Sequence, residues 1–437
     1  MEAFNKAMER LGVRVGDLIR FKKDGMILEG YVMPPYAFTD PEIIVLKLRN
    51  GYNVGFLADE IKDLEIIGRI DQSRESLSIE KIKQREDLPR IKVIGTGGTI
   101  ASFIEYSTGA VRPSASVEEL IESIPEVAEI AYIDSETLFN ILSENMKPEY
   151  WEEIARKIYE SMREGFKGVV VTHGTDTMSF TASAIAFAIQ NMSVPVVFVG
   201  SQRSSDRPSS DAALNFIGAL IVASRSPIAE SVIAMHSSSS DDLIGVYRGV
   251  KTRKMHTSRR DAFKSINEPP IALVNPYTKE IRITGRILRE RGDREPILMN
   301  GFEKKVSLLY SYPGIDPEII DFLVSRGYRG IVIAGTGFGH VPEYLIPSIR
   351  RASQNGVAIA VTSQTLFGRV NLKVYQTGRE MIMAGVIPCE DMLPEVAYVK
   401  LSWILRRTDN MEDVRRIMTA NIAGEINSRH TEDLFIR

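Results

Sequence analysis

Four stretches of the sequence gather hydroxyl, carboxylate and amine groups beside glycine or at the end of an apolar run. The first is Gly95-Thr96-Gly97-Gly98-Thr99-Ile100, after the strand-like residues 91–95. Glycine lets a backbone pass close to a ligand. A phosphate loop needs a Gly-Lys-Ser/Thr ending, and a dinucleotide fingerprint needs glycine where Ile100 stands. Phosphate binding is therefore disfavoured. A plain tight turn explains the glycines but not the hydroxyls of Thr96 and Thr99. The second stretch is Thr172-His173-Gly174-Thr175-Asp176-Thr177, between a strand and a helix. Open α/β sheets bind ligands at that carboxyl edge, although helix capping by Asp176 and Thr177 accounts for these types equally well. The third is Gly200-Ser201-Gln202-Arg203-Ser204-Ser205-Asp206, whose alternative is a solvated loop. The fourth, Arg253-Lys254-Met255-His256-Thr257, is on its own a basic surface cluster. Three polar loops at strand ends suit a small polar substrate.

The elements that must position these groups fall into blocks. Residues 1–68 carry short β-branched and aromatic segments at 17–21, 28–33, 43–48 and 52–57, with Asn50-Gly51 as a hairpin signal. They predict a small all-β, barrel-like domain. Residues 69–90 are charged and read as a linker. From 91 to 290, strands at 91–95, 168–172 and 194–200 alternate with helices at 148–164, 175–191 and 208–223. From 300 to 437, strands at 306–310, 330–335 and 357–362 alternate with helices at 316–325, 342–354 and 392–405. Residues 280–300, rich in Arg, Glu and Gly, join the two blocks. Alternation of this kind predicts an α/β fold of two domains with mostly parallel sheets.

Composition narrows the function classes. The 437 residues carry 54 basic and 57 acidic side chains, a formal charge of −3, so no whole-chain field draws in nucleic acid. Cys389 is the single cysteine, which excludes an internal disulfide. No pair of histidines has metal-ligand spacing, so no metal is expected. His236 and His430 lack ligand-like neighbours, and His173 reads as a loop-stabilising donor. The first residues lack the apolar stretch of a signal peptide and no run of about 18 apolar residues occurs, which predicts a cytoplasmic protein.

Together the four stretches resemble the L-asparaginase family. Thr96 to Ala101 matches its Thr-Gly-Gly-Thr-Ile-Ala loop, and His173 to Thr177 its His-Gly-Thr-Asp-Thr loop. Gly200 to Asp206 matches its Gly-Ser/Ala-x-Arg loop. Lys254, followed by Asp261-Ala262-Phe263, matches its lysine motif. Order and spacing agree over residues 89–437. The resemblance implies an asparaginase-like body and amide hydrolysis through an acyl-enzyme that releases ammonia first. The catalytic positions it implies are Thr99, Thr175, Asp176 and Lys254; which threonine attacks first stays open. A threonine hydroxyl needs a base, and a lysine serves only when neutral, a state that burial favours and a carboxylate opposes. Backbone N–H groups near Gly98 and Thr175 are the expected oxyanion donors. Substrate-binding positions carried over are Gly98, Ser143, Glu144, Gly174, Ser201 and, loosely, Tyr106. Glu144 stands where the family has glutamine, and His340, in Gly337-Phe338-Gly339-His340, where it often has an asparagine supplied by a neighbouring subunit. A glutaminase built on Cys389 lacks an accompanying His/Glu set, so this thiol reads as structural.

A small barrel and charged linker ahead of such a body resemble the D subunits of archaeal glutamyl-tRNA(Gln) amidotransferases. That resemblance implies glutaminase action on glutamine or asparagine, homodimerisation through the body, and ammonia passed to an E-type partner subunit. The partner would hold ATP and Mg and most of the tRNA, with no cofactor in this chain. The alternatives are a stand-alone cytoplasmic asparaginase, tested by asparagine hydrolysis, and a catalytically silent module, tested by the absence of a covalent adduct at Thr99.

Overall fold

The computed structural model describes residues 2–23, 26–33, 40, 42–48, 53–69, 84–98, 100, 102–104, 111–113, 117–122, 124–204 and 210–430. Most of the predicted linker, residues 70–83, lies outside them.

The first unit contains helix α1 (Glu2–Leu11) and five antiparallel strands, β1 (Asp17–Lys23), β2 (Met26–Val32), β3 (Ile43–Leu48), β4 (Asn53–Leu57) and β5 (Lys62–Arg69). Their order is β4-β3-β2-β1-β5, and no pairing joins the edges β4 and β5 among the described residues. Lys47 pairs with Asn53, a register one residue off that of a two-residue turn at Asn50-Gly51, and those two residues lie outside the described ones. The β-rich expectation gains one helix. In α1, Phe4, Ala7 and Met8 fall at helical spacing and are buried with Ile19, Phe21, Ile44 and Leu46.

The second unit is built on an eight-stranded mixed sheet. Its parallel half comprises β6 (Arg90–Gly97), β7 (Tyr132–Ile141), β8 (Gly168–Thr172), β9 (Val196–Val199) and β10 (Ser231–His236). The crossover helices are α2 (Pro148–Arg163), α3 (Met178–Ala188) and α4 (Ala212–Arg225). Strand β11 (Ile244–Arg248) turns back antiparallel on β10. The separate hairpin β12 (Thr252–Lys254) and β13 (Phe263–Ser265) follows, then β14 (Ala272–Val274) and β15 (Ile281–Ile283). The sheet order is β15-β14-β11-β10-β9-β8-β6-β7. Residues 280–300 thus contribute an edge strand to this sheet as well as the join. Strand β8, Gly168–Thr172, is buried at every position, as expected of a strand covered on both faces.

The third unit has four parallel strands, β16 (Val306–Tyr310), β17 (Gly330–Gly335), β18 (Ala358–Ser363) and β19 (Ile387–Pro388). They are wound with α5 (Glu318–Ser325), α6 (Ile346–Gln354), α7 (Gln376–Met383), α8 (Pro394–Leu405) and α9 (Met411–Met418). Helix α3 has no charged residue, and all but one of its side chains are buried. It lies in a core shared with α8, between the two sheets. This common core makes the two α/β units one packed body. Cys389 is fully buried there, and burial pushes its thiol up to about 12, as expected of a structural cysteine. No helix among the described residues is long and apolar enough to cross a membrane.

Candidate active site

The polar loops meet because three glycines remove the atoms that would keep them apart. Gly97 and Gly98, at the end of β6, have φ of +97° and +85°, values that favour glycine. A Cβ on Gly98 would lie 2.4 Å from the Gly174 nitrogen, and one on Gly174 would lie 2.5 Å from Ser143 Cβ. A Cβ on Gly200 would lie 2.6 Å from the His173 carbonyl oxygen. Strand β6 runs two residues past its predicted end. Thr96 Oγ1 consequently donates to the Thr172 carbonyl at 2.7 Å and ties the first loop to the second.

On this frame Lys254 reaches Thr175 and Asp176. Its Nζ donates to Thr175 Oγ1 at 2.9 Å and to Asp176 Oδ1 at 2.8 Å. Ser143 Oγ donates to Asp176 Oδ2 at 3.1 Å, while Thr177 Oγ1 donates to the Ser143 carbonyl at 2.8 Å. The predicted helix start at residue 175 shifts to Met178. Residues 175–177 form the preceding turn, and neither Asp176 nor Thr177 caps the helix with its side chain. Lys254 ends β12, where it pairs with Phe263 of β13; Phe263 is fully buried and fixes the register. Next to it, Arg253 reaches the third unit, with Tyr310 Oη at 3.3 Å and Glu395 at 3.5 Å. The basic cluster is therefore not a solvated surface at Lys254, whose side chain is only 13% exposed.

Burial raises the Asp176 carboxyl, but the hydrogen bond and charge of Lys254, with help from Ser143, bring it below the ordinary carboxylate range. His173 is fully buried beneath the loop. Its Nδ1 faces the Gly174 carbonyl at 2.7 Å and its Nε2 faces Thr181 Oγ1 at 2.8 Å, which in turn accepts from Trp151 Nε1 at 3.1 Å. That network fits a neutral ring with its proton on Nδ1, and burial lowers the imidazole to about 4. His173 braces the loop and does not face the amine.

Over the same span, residues 90–287 match the family described as Asparaginase, N-terminal. Residues 305–418 match the Glutaminase/Asparaginase C-terminal domain, and residues 13–67 match the GatD N-terminal domain. The D subunit of the glutamyl-tRNA(Gln) amidotransferase of Thermococcus kodakarensis is 51% identical over 434 residues, 98% of each chain. That of Thermofilum pendens is 50% identical over 439 residues, 99% of this chain and 97% of its own. The chain belongs to the family of glutamyl-tRNA(Gln) amidotransferase D subunits. Its body is also similar to a thermostable L-asparaginase from Thermococcus kodakarensis, with a TM-score of 0.68 and 33% identity over 78% of this chain and 100% of that one. L-asparaginase I of Vibrio cholerae gives a TM-score of 0.68 at 28% identity, over 78% of this chain and 99% of its own.

In this member of the family, Thr175, Asp176, Lys254, Ser143, Gly98 and Gly174 lie together. Thr99 and Tyr106 fall outside the described residues. Two expectations change. The Gly98 N–H donates to the Ile141 carbonyl at 3.1 Å, so it is occupied within the fold and is not an open oxyanion donor. The Ser143 hydroxyl is turned onto Asp176. Glu144 follows in the same short turn with its side chain exposed. Ser201 is buried, and its Oγ has no hydrogen-bond partner among the described residues. A cavity of about 1430 Å³ lies apart from this cluster; it is lined by Met255 and Lys264, the third-unit loop at Leu366 and Phe367, and the segment near Asn427. Among the described residues no group of three or more His, Cys, Asp or Glu side chains could hold a metal ion. Motif reading missed Asp211 and Asn215, which hold the third loop. Their i, i+4 spacing at the start of a helix directly after that loop was the available signal.

Proposed function

We propose that this chain is the ammonia-releasing subunit of a tRNA-dependent amidotransferase that converts Glu-tRNA(Gln) to Gln-tRNA(Gln). The observation that carries the chemistry is the Lys254 amine, held at once against the Thr175 hydroxyl and the Asp176 carboxylate. In the proposed reaction a threonine oxygen, of Thr99 or Thr175, bonds to the amide carbon of glutamine. The hydroxyl proton passes to the Lys254 amine once that amine has released its own proton, and the departing nitrogen takes a proton and leaves as ammonia. Water then cleaves the resulting ester and frees glutamate. Asp176, fixed by Ser143, orients the amine. The Thr175 N–H, which has no acceptor among the described residues, is the remaining oxyanion donor. Ser201 and Glu144 are the proposed contacts for the amino-acid end of the substrate, and Tyr106 the proposed cover.

The relatives named as amidotransferase D subunits support an assembly with a partner subunit, here proposed to be of the E type and cytoplasmic, where ATP and Mg would serve to activate the glutamate. Homodimerisation is proposed through the carboxyl edge of the third-unit sheet. Its loops expose Tyr312, Phe338, Tyr344 and Tyr375, more apolar surface than an isolated edge needs. The deciding experiment measures ammonia released from glutamine, and separately from asparagine, by the chain alone and with its partner and Glu-tRNA. Release from glutamine that rises with partner and tRNA is expected. Rapid asparagine hydrolysis indifferent to both would favour a stand-alone asparaginase, the reading supported by the full-length overlap with solved asparaginases.

A further inference from the structure

The third loop is held from behind by side chains that the proposed amide chemistry does not use. Asp211, at the start of α4, accepts from the backbone N–H of Gln202 at 3.0 Å and of Arg203 at 3.1 Å. One turn on, Asn215 Nδ2 donates to the Gly200 carbonyl at 3.0 Å and to Asp211 Oδ2 at 2.9 Å. Both partners are acceptors, so the orientation of the amide is fixed and Oδ1 faces the other way. There it meets His236 Nδ1 at 2.6 Å. His236 ends β10 and is fully buried. Its Nε2 lies 3.1 Å from Asp241 Oδ1. Asp241 is also paired with Arg260, in the loop of the β12–β13 hairpin, and Arg260 donates to the Ser239 carbonyl.

A carboxylate paired with arginine is ionised and can only accept. Both nitrogens of His236 therefore face acceptors. A neutral imidazole has one N–H, and only the doubly protonated ring supplies a donor at each end. We infer that His236 is a positioning residue: as a two-donor imidazolium it ties the third loop, through Asn215 and Asp211, to the loop of the lysine hairpin, through Asp241 and Arg260. The charged groups around it are Asp211 from α4, Asp241 from the segment after β10, and Arg260 and Lys264 from the hairpin. Lys264 donates to the Ser237 carbonyl at 3.1 Å. The bridge joins the loop carrying Ser201 to the one continuing from Lys254, so it fixes the position of the third loop relative to the lysine hairpin. It rests on the proposed function only where it assigns the third loop to substrate.

The test uses the full chain with its partner. Nitrogen-15 spectra of histidine-labelled protein near neutral pH, assigned by loss in His236→Gln, should show both ring nitrogens of His236 protonated. A ring with a single N–H overturns the inference. In glutamine hydrolysis, His236→Gln and Asp241→Ala should each raise KM by roughly tenfold, the scale of one charge-assisted hydrogen bond, with kcat changed by less than about threefold. The double variant should be no worse than the weaker single, because both break one path. Asp241→Asn keeps an acceptor toward Nε2 and should recover most of the KM. Losses that multiply, or an unchanged KM, overturn the inference. If His236→Gln does not fold, the exposed Asp241 carries the kinetic arm. A wild-type protein that releases no ammonia would defeat the functional reading, while the nitrogen spectrum would still decide the bridge.

Discussion

Shortening Lys254 removes one donor from two acceptors at the same time. Lys254→Met should therefore lower kcat by about a thousandfold, within the usual range for a lost acid–base group. Lys254→Arg should not rescue it, because a guanidinium keeps its proton. Single-turnover ammonia release checks both. Asp176 makes a prediction with a definite sign. Its folded carboxyl lies below the ordinary value, so it stays ionised as pH falls until below about 4. An acid limb in kcat/KM between pH 5 and 7 must then survive Asp176→Asn in position, even though the rate falls. His173 shifts in the same direction, although it is the neutral form that the fold keeps. Its folded value of about 4 lies below its unfolded one, so its contribution to stability is complete above about pH 6.5 and is lost as pH falls toward 4, by roughly 3 kcal/mol. Tm should fall more steeply with decreasing pH across that window in wild type than in His173→Gln. Thr175, Asp176 and Lys254 were legible because motif spacing survives without coordinates. The role of Ser143 was not, since a hydroxyl turned onto a neighbouring carboxylate and one turned toward a ligand have the same sequence.

The lysine sits on a three-residue strand, too short for periodicity to announce, and the hairpin is held by elements remote in sequence. Lys251, three residues earlier, forms a fully buried ion pair with Asp391 at 2.6 Å. Asp391 also accepts from the Asn427 backbone at 2.9 Å and faces His430 Nε2 at 3.1 Å. Removing one partner strands the other charge inside the protein. Lys251→Met should accordingly cost about 3 kcal/mol or more in denaturant unfolding, despite the gain in apolarity. Gly174→Ala probes the loop contact instead. Its Cβ would collide with Ser143 and push that hydroxyl off Asp176, so activity should fall by about a hundredfold with little change in secondary structure, a result that circular dichroism and ammonia release together decide. Helix existence was readable where apolar spacing was strong, as in α2. Helix α7 escaped because Gly378 interrupts it, and α9 because it is short and half of it is charged. The antiparallel half of the first sheet escaped because its strands are short and their partners are set by packing rather than by local pattern.

At the scale of the molecule, the changes of composition along the chain announced separate units, but not how two of them merge. Helices α3 and α8 are apolar on nearly every side, and sequence alone cannot distinguish a helix sandwiched between two sheets from one in a single core. The same packing leaves the carboxyl edge of the third-unit sheet open. Tyr312 follows β16, Phe338 follows β17, and Tyr375 follows β18; all three side chains are about half exposed. The loops after parallel strands gather on one edge, so these rings share a side of the molecule. His340 lies there too, its ring 5.3 Å from that of Tyr375 and its Nε2 buried without a partner among the described residues. An aromatic surface of this kind is better accounted for by a second chain than by water. Light scattering should then give about 98 kDa, twice the 48.8 kDa of one chain. Phe338→Lys combined with Tyr375→Lys should bring the mass to that of a monomer at micromolar concentration while the melting curve of the body persists. A mass that stays doubled in this variant would move the dimer to another face and leave the aromatic edge free for the partner subunit.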